Sequence, residues 1–470
     1  MNPKRFALIH LVAGLLLPVC ADVTLPDVIS DGMMLQADRS VRIWGWAAPG
    51  EPVTVFHRGQ IRESRAGADG AWHVVLDPMP ASSSPRTLVI HGSDSNQVTR
   101  IKNVLVGDVW LAGGQSNMAY PVKSCLHAAR EIGAANHPEI RIFMARRILH
   151  DTPPKMTAGR WVVCSPDTVG EASGVAYFFV RELFRKTGRP QSFLNVNWSG
   201  TPIEAWMSRQ VLESDPVFAA SLDREWKQAH WLPSSCYRSM LAPLFPFTLR
   251  GILWYQGEGN AGRPEQYRAL FLALIREWRS GFGERPFYFA QIATQGDAPV
   301  WFQSKGGWPL LREAQMLALT EPDTGMAVTH DLGIPGDVHY PDKQSVGHRL
   351  ARIALEDLYR LDHHARSPRF EKAEFANGRA VISFRDAEQG LADAQPVEGF
   401  VIAGCDGKFL TAQARVIDGN RVAVWNDTVI EPMAVRYAWS AYPIATLADA
   451  NGLPVAGFRT DGPAGTDGVR

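Results

Sequence analysis

The sequence predicts an α/β protein in which a parallel sheet with helices on both sides is flanked by two smaller all-β regions. Short β-rich runs separated by turns fill residues 23 to about 103. Strands then alternate with helical segments, and β patterning returns near the end of the chain. We therefore divide the chain into a leader at 1–21, an N-terminal β domain at 22–103, an α/β domain at 104–365 and a C-terminal β domain at 366–470.

The leader has the composition of a secretory signal peptide. Lys4 and Arg5 precede an apolar run from Phe6 to Val19 that is too short to span a bilayer. We expect cleavage after Ala21, with the exported protein beginning at Asp22 and acting in the periplasm or after secretion. Residues 17–20 weakly resemble a lipoprotein signal, but Val19 is bulky for one. Since the remaining sequence holds no apolar stretch of transmembrane length, we expect no membrane partner for the mature form.

The N-terminal β domain is predicted from four runs that alternate in polarity or are rich in β-branched residues, with Gly, Pro and Ser clusters between them. Regular strands with such turn signals are typical of a small sandwich. The predicted strands are 41–46, 53–56, 72–76 and 87–90.

The α/β domain is predicted from buried strands that alternate with amphipathic helical segments. In parallel sheets of this kind, sites lie at the carboxyl ends of the strands. The predicted strands are 108–113, 192–197, 250–256, 286–293 and 325–331, and the predicted helices are 176–186, 263–280, 308–319 and 345–359. The C-terminal strands are predicted at 380–384, 399–403 and 422–425.

Composition excludes several classes of function. The 470 residues have a formal net charge of zero, so no nucleic-acid partner is expected. No C-x-x-C or H-E-x-x-H spacing is present, and we predict neither a metal nor an organic cofactor. Beyond the leader there are four cysteines: Cys125, Cys164, Cys236 and Cys405. They permit a bridge between Cys125 and Cys164, and the alternative is that they are small buried hydrophobic residues.

Ser116 is the candidate nucleophile. It follows the apolar run 109–112 and the flexible pair Gly113-Gly114, so a tight turn would hold its hydroxyl in solvent. Asn117 and the backbone amide of Ser116 are candidate donors to an oxyanion. The alternative interpretation of this segment is a polar turn without chemistry.

Two further polar clusters follow predicted strands. His339 is a candidate general base, and Asp337 two residues earlier is placed to orient it; the alternative is a structural histidine. Gln256 and Glu258 lie at the end of the strand predicted at 250–256, as a candidate oxyanion donor and a candidate second carboxylate. Polar side chains at the end of a buried strand are costly unless they have partners or a function.

These motifs together resemble the sialate O-acetylesterase family, carbohydrate esterases with an SGNH-hydrolase-like core of three α/β/α layers. The resemblance covers nearly the whole mature chain. It runs from 30–36 (SDGMMLQ) through 114–118 (GQSNM), 174–179 (GVAYFF), 200–206 (GTPIEAW) and 254–258 (WYQGE) to Asp337-Val338-His339 with Lys343-Gln344.

The resemblance implies that Ser116 is the nucleophile and His339 the base. It implies an oxyanion hole formed by the Ser116 amide, the backbone near Gly174 and the Gln256 side chain. Many SGNH hydrolases carry Asp three residues before the histidine, where this chain has Gly336. Asp337 is therefore our first choice for the orienting carboxylate. Glu258 shares or takes this role in a second interpretation, and Asp331 is a third candidate.

The sequence thus predicts an exported carbohydrate O-acetylesterase that acts through an acetyl-enzyme and needs no cofactor. An O-acetylated carbohydrate is the expected partner. O-acetylated sialic acid is the substrate that the family name implies, and acetylxylan or another acetylated polysaccharide is the alternative. The rival from another class is a noncatalytic glycan-binding protein that uses some of the fifteen tryptophans to bind sugar.

Overall fold

The N-terminal region consists of short strands that feed into the central sheet. The computed structural model describes residues 23–92, 98–303, 306–392 and 396–462, so the predicted leader and its cleavage site lie outside the described residues. The first seven strands are β1 (Met34–Gln36), β2 (Val41–Trp46), β3 (Pro52–His57), β4 (Gln60–Arg65), β5 (Ala71–Leu76), β6 (Ser82–His91) and β7 (Val98–Gly114). All four strands predicted here are present.

Strand β7 joins the N-terminal region to the α/β core. It is 17 residues long; its first half pairs antiparallel with β6, and its second half lies inside the central sheet. β1 pairs parallel with β7 near its middle, while β2 and β5 form a separate two-stranded antiparallel sheet. The predicted boundary at 103/104 therefore falls within a continuous strand.

The central sheet of the described structure has the order β13-β12-β11-β7-β10-β8-β9. Its strands run parallel except β9, which is antiparallel to β8. Strands β7, β10, β11, β12 and β13 were predicted from the sequence, whereas β8 and β9 were not. The elements of this region, in chain order, are α1 (Ser116–Ala119), α2 (Ala128–Gly133), β8 (His137–Ala145), β9 (Gly159–Cys164), α3 (Gly174–Thr187), β10 (Gln191–Asn197), α4 (Arg209–Glu213), α5 (Pro216–Ala219), β11 (Gly251–Tyr255), α6 (Pro264–Phe282), β12 (Phe287–Ala290), α7 (Gly307–Leu317), β13 (Thr324–Ala327) and α8 (Lys343–Ala354).

Helices cover both faces of this sheet, which confirms the predicted α/β class. α3 packs against α8, and α6 packs against α7. The two helix layers contribute to separate buried clusters, one around Phe178 and Leu350 and the other around Phe271 and Leu311. Ser173 caps α3 by accepting a hydrogen bond from the Ala176 amide.

The C-terminal region forms two four-stranded sheets around its own core. Its strands are β14 (Arg369–Ala376), β15 (Arg379–Arg385), β16 (Phe400–Ala403), β17 (Leu410–Thr411), β18 (Gln413–Asp418), β19 (Arg421–Trp425), β20 (Ala434–Tyr437) and β21 (Phe458–Arg459). The buried guanidinium of Arg312 on α7 donates to the carbonyls of Ser440 and Ala441 and ties this region to the core.

The expected bridge between Cys125 and Cys164 is absent, and that prediction is wrong. All four cysteines in the described part of the chain are free, three of them buried and Cys405 exposed. The thiol of Cys125 lies against the Pro121 carbonyl and that of Cys164 against the Ala135 carbonyl. They serve as the small buried residues of the alternative interpretation.

Among the described residues, the longest apolar helices fall short of what a bilayer crossing requires.

Candidate active site

Three loops meet at the carboxyl edge of the central sheet. They follow β7, β11 and β13, and they carry Ser116, Glu258 and His339 respectively. β7 and β11 are direct neighbours in the sheet. The predicted residues therefore lie at one edge of the sheet, as expected for residues that follow parallel strands.

The turn before Ser116 requires glycine. Gly114 has a φ of +137°, and a Cβ atom there would lie 2.2 Å from the Tyr255 carbonyl oxygen of the neighbouring strand. Ser116 then begins α1 and stays partly exposed, while Gln115 and Asn117 on either side are buried. The turn thus holds the hydroxyl at the surface of a rigid sheet edge.

Gln115 fastens this turn to the loop after β11. Its Oε1 accepts hydrogen bonds from the amides of Gly257 (3.3 Å) and Gly259 (3.1 Å). Its Nε2 lies 3.5 Å from the Ser116 hydroxyl. The serine is therefore positioned from two strands at once.

Asn117 connects all three loops. Its Nδ2 donates to Glu258 Oε1 at 2.6 Å and to the Val338 carbonyl at 3.0 Å. Both amide hydrogens are therefore engaged, and the prediction that this side chain donates to an oxyanion is wrong. Because Asn117 follows Ser116 and Val338 precedes His339, the bond to Val338 ties the segment of the candidate nucleophile to the loop of the candidate base.

His339 and Asp337 form an open pair. The carboxylate Oδ1 of Asp337 accepts from the His339 backbone amide at 2.7 Å and lies 3.4 Å from its Nδ1. Their side chains are 42% and 51% exposed, respectively. A carboxylate at Nδ1 favours the tautomer that leaves Nε2 free to accept a proton.

Glu258 is a buried carboxylate with unused capacity. Its Oε1 accepts from Asn117, and its Oε2 is buried without a hydrogen-bond partner in the described structure. Burial raises the pKa of Glu258, while the Asn117 hydrogen bond and the charges of Lys343 and His339 act in the opposite direction. Glu258 is thus within electrostatic range of His339.

Asp331 is committed elsewhere. Its two oxygens accept from Arg349 at 2.7 and 2.6 Å, and this guanidinium lowers the pKa of Asp331 against the effect of its burial. The structure gives this carboxylate a structural partner on α8, not His339.

Two predicted oxyanion donors are engaged in other hydrogen bonds. The Gly174 amide donates to the Tyr120 carbonyl at 2.8 Å, so it is not free. The Gln256 side chain is fully buried, and its Nε2 donates to Asn260 Oδ1 at 2.8 Å and to the Thr201 carbonyl at 3.3 Å. The Ser116 amide, at the first position of α1, makes no hydrogen bond with any described residue.

Sequence reasoning missed a donor on the neighbouring strand. β10 pairs with β7 up to Asn197 and Gly114, and the next amide, of Trp198, donates to the Gly114 carbonyl. Gly200 follows with a φ of +77°, and its own amide has no partner within the described ranges. The strand-end rule applied to 192–197 would have found it.

Lys343 belongs to a motif of the resemblance, but the sequence did not predict a role for it at this edge. Its ammonium donates to Asn117 Oδ1 at 2.6 Å, and it lies 3.5 Å from the centre of the Tyr340 ring. The residue is fully buried, and burial lowers the pKa of Lys343 to about 7.

Comparisons with known proteins show which family the chain belongs to. Residues 106–356 match the family described as "Carbohydrate esterase, sialic acid-specific acetylesterase". The chain is 29% identical to human sialate O-acetylesterase and 30% identical to that of Pongo abelii, over 92% of both chains in each case. It also superposes with a TM-score of 0.84 on the crystal structure of a carbohydrate acetylesterase from Xanthomonas citri, at 37% identity and over 93% of this chain and 99% of that one.

The family match spans more than half of the described sequence and includes all three site loops. The relatives extend it to nearly the full length. The chain therefore belongs to the sialic acid-specific acetylesterase family of carbohydrate esterases, and it is a carboxylic ester hydrolase.

Proposed function

We propose that this protein is an exported carbohydrate O-acetylesterase in which Ser116 attacks the acetyl group and His339 is the general base. The observation that carries the proposal is the hydrogen bond from the Asn117 side chain to the Val338 carbonyl. It links the residue after Ser116 to the residue before His339. A structural loop histidine would not require such a bond to the turn of a partly exposed serine.

In the first step His339 Nε2 takes the hydroxyl proton as Ser116 Oγ bonds to the acetyl carbon. The tetrahedral intermediate collapses when the sugar oxygen leaves with the proton held by His339. The products of this half-reaction are the free sugar hydroxyl and an acetyl ester on Ser116.

In the second step water attacks the acetyl-enzyme. His339 takes a proton from the water and returns it to Ser116 as acetate leaves. Both steps develop negative charge on the acetyl oxygen, which needs donors held in place beforehand.

The donors that best suit this oxyanion are two backbone amides. The Ser116 amide is a predicted donor, and the Gly200 amide lies at the end of the adjacent strand. Gly174 and Gln256 complete the predicted set, but in this role each would first have to release the partner it holds here. Ser116 and Gly200 are therefore the pair we propose.

We further propose that Asp337 and Glu258 share the stabilisation of the His339 imidazolium. Asp337 contacts Nδ1 but is half exposed, so water screens its charge. Glu258 has a buried oxygen without a hydrogen-bond partner among the described residues, and its interaction with His339 is screened less by water because the carboxylate is buried.

For the substrate, the curated relatives are named sialate O-acetylesterases and the structural relative a carbohydrate acetylesterase. An aromatic surface beside Gly200 supports a sugar ligand: the Trp198 ring stacks on His230 with centroids 4.9 Å apart and planes within 8°. We propose O-acetylated sialic acid as the substrate class, with acetylxylan or another acetylated polysaccharide as the alternative.

The test is a substrate panel with the purified protein. It includes O-acetylated sialosides, acetylated xylan and a simple aryl acetate, with acetate release as the readout and a Ser116→Ala variant as control. We expect acetate from at least one acetylated glycan and none from the variant. Release from the aryl ester alone would contradict a carbohydrate substrate.

Export has its own test. We expect N-terminal sequencing of protein recovered outside the cytoplasm to begin at Asp22. Recovery there with Met1 retained would contradict the proposed signal cleavage.

A further inference from the structure

Lys343 stands in a place that disfavours its charge. It is fully buried, and it is the first residue of α8, where the helix dipole repels a cation. Three tyrosine rings lie within 5.8 Å of its ammonium, those of Tyr120, Tyr255 and Tyr340. Such rings compensate only part of the lost hydration.

The ammonium has one hydrogen-bond partner among the described side chains, Asn117 Oδ1 at 2.6 Å. The opposite end of the same amide donates to Glu258 Oε1, also at 2.6 Å. Asn117 therefore lies between a cation and an anion, with its amide dipole aligned to both. Both bonds are of the strong, charge-assisted type.

This arrangement also fixes which way the Asn117 amide faces. An ammonium can only donate, so it selects the Asn117 oxygen and directs the nitrogen toward Glu258 and Val338. With the amide reversed, the bonds that hold Glu258 and the residue before His339 would be lost. The orientation of the base thus depends on a donor at position 343.

We propose that Lys343 is a positioning residue for the esterase reaction: through Asn117 it holds Glu258 and the His339 loop in their working geometry, and it supplies the positive charge that faces Glu258 across that amide. The inference rests on the proposed Ser116–His339 function. The lysine contacts neither the serine hydroxyl nor the base, so it acts on the reaction indirectly, through the Asn117 side chain.

Its charge is balanced against several neighbours. Glu258 raises the pKa of Lys343, as do Cys125, Asp337 and Asp342, although burial has the larger, opposite effect. On the other side, Glu258 faces Asn117, Lys343 and His339, and its charge also acts on three buried tyrosines, Tyr255, Tyr267 and Tyr340. Loss of the ammonium therefore removes one of the charges that favour the ionised form of Glu258.

The experiment compares Lys343→Met with Lys123→Met, a surface lysine paired with Glu171. Using an aryl acetate, we expect Lys343→Met to lower kcat roughly 10- to 100-fold with little change in KM. We also expect the acid limb of its kcat/KM profile to move to higher pH, because Glu258, whose ionised form supports the base, loses an opposite charge. Lys123→Met should match the wild type in both.

A folded Lys343→Met variant with wild-type kcat and an unshifted acid limb would overturn the inference. Should that variant fail to fold, Lys343→Gln keeps a donor to Asn117 without the charge, and an unshifted acid limb there would overturn the charge role. A shifted acid limb would support it. The Ser116→Ala control separates the two proposals: if Ser116→Ala stays active, the proposed function fails, whereas normal Lys343→Met activity beside an inactive Ser116→Ala removes only this inference.

Discussion

Two groups of charged side chains lie at the same sheet edge and differ in their surroundings. Asp337 and His339 are about half exposed and meet at 3.4 Å. Asn117 and Lys343 are buried, and they join Glu258 through two hydrogen bonds of 2.6 Å. Water screens an exposed pair, so its interaction energy is small and does little to fix the positions of the two side chains. We propose that the open pair carries the base and that the buried group positions it, with Glu258 sharing the stabilisation of the imidazolium.

Removal of the proposed nucleophile should have the largest effect on kcat. Ser116→Ala should lower kcat on an aryl acetate by roughly four orders of magnitude or more. Folding should be unaffected, because the hydroxyl is partly exposed and no described backbone group relies on it. The kinetic measurement is paired with thermal melting of both proteins. Retention of more than about a tenth of the wild-type rate in a folded variant would contradict the assignment.

Asp331 is a charged residue outside the site, and its replacement shows whether a buried ion pair there affects stability alone. It pairs with Arg349 through two bonds, and both side chains are largely buried. Asp331→Asn should lower the free energy of unfolding by about 2 kcal/mol, because a charged hydrogen-bonding partner is lost. It should leave kcat per folded molecule within about twofold.

A matched control is Asp418→Asn, which breaks the exposed pair with Arg421. It should leave the free energy of unfolding essentially unchanged, because solvent screens this exposed pair. Urea unfolding measures both variants. A large fall in kcat for folded Asp331→Asn would return this residue to the list of orienting carboxylates.

Two buried histidines away from the site should make the fold acid-sensitive. Burial lowers the pKa of His57 and of His330 to about 4. The folded state thus disfavours the charged ring, and the unfolded state binds more protons between pH 4 and about 6.5. Above about pH 6.5 these two histidines make no change in the free energy of unfolding with pH. As the pH falls from there toward 4, each histidine lowers that free energy by at most about 1.4 kcal/mol per pH unit.

Urea midpoints at pH 7 and pH 5 measure this effect, with His330→Gln as the comparison. His330 contacts the Val455 carbonyl of the C-terminal region, so the variant keeps a donor there without the titration. We expect a smaller fall in stability between the two pH values for the variant. An equal fall in both proteins would remove His330 from the explanation. The result also separates acid unfolding from acid loss of catalysis.

The sequence predicted most of the architecture because hydrophobic periodicity is a local property. The strands and helices of the α/β region follow it closely, and the ends of β7, β11 and β13 placed Ser116, Glu258 and His339 at one edge. β8 and β9 were missed because β8 opens with His137-Pro138-Glu139 and both lie toward the sheet margin, where the apolar pattern is weaker.

The partners of the site residues were harder to predict than their positions. Which way Asn117 donates depends on Lys343 and Val338, both more than two hundred residues away along the chain. The Gly174 amide and the Gln256 side chain likewise depend on Tyr120, Thr201 and Asn260. Sequence motifs give the residue types at a site, but side-chain direction is set by contacts between distant segments.

The measurement that tests the division between the two groups most directly is kcat for Asp337→Asn, Glu258→Gln and the double variant. If the two carboxylates share the role, each single change should cost roughly one to three orders of magnitude, because the other charge remains. The double variant should then be far slower than either single variant. A loss of about four orders in Asp337→Asn with near-normal kcat in Glu258→Gln would contradict sharing and leave Asp337 as the sole orienting acid.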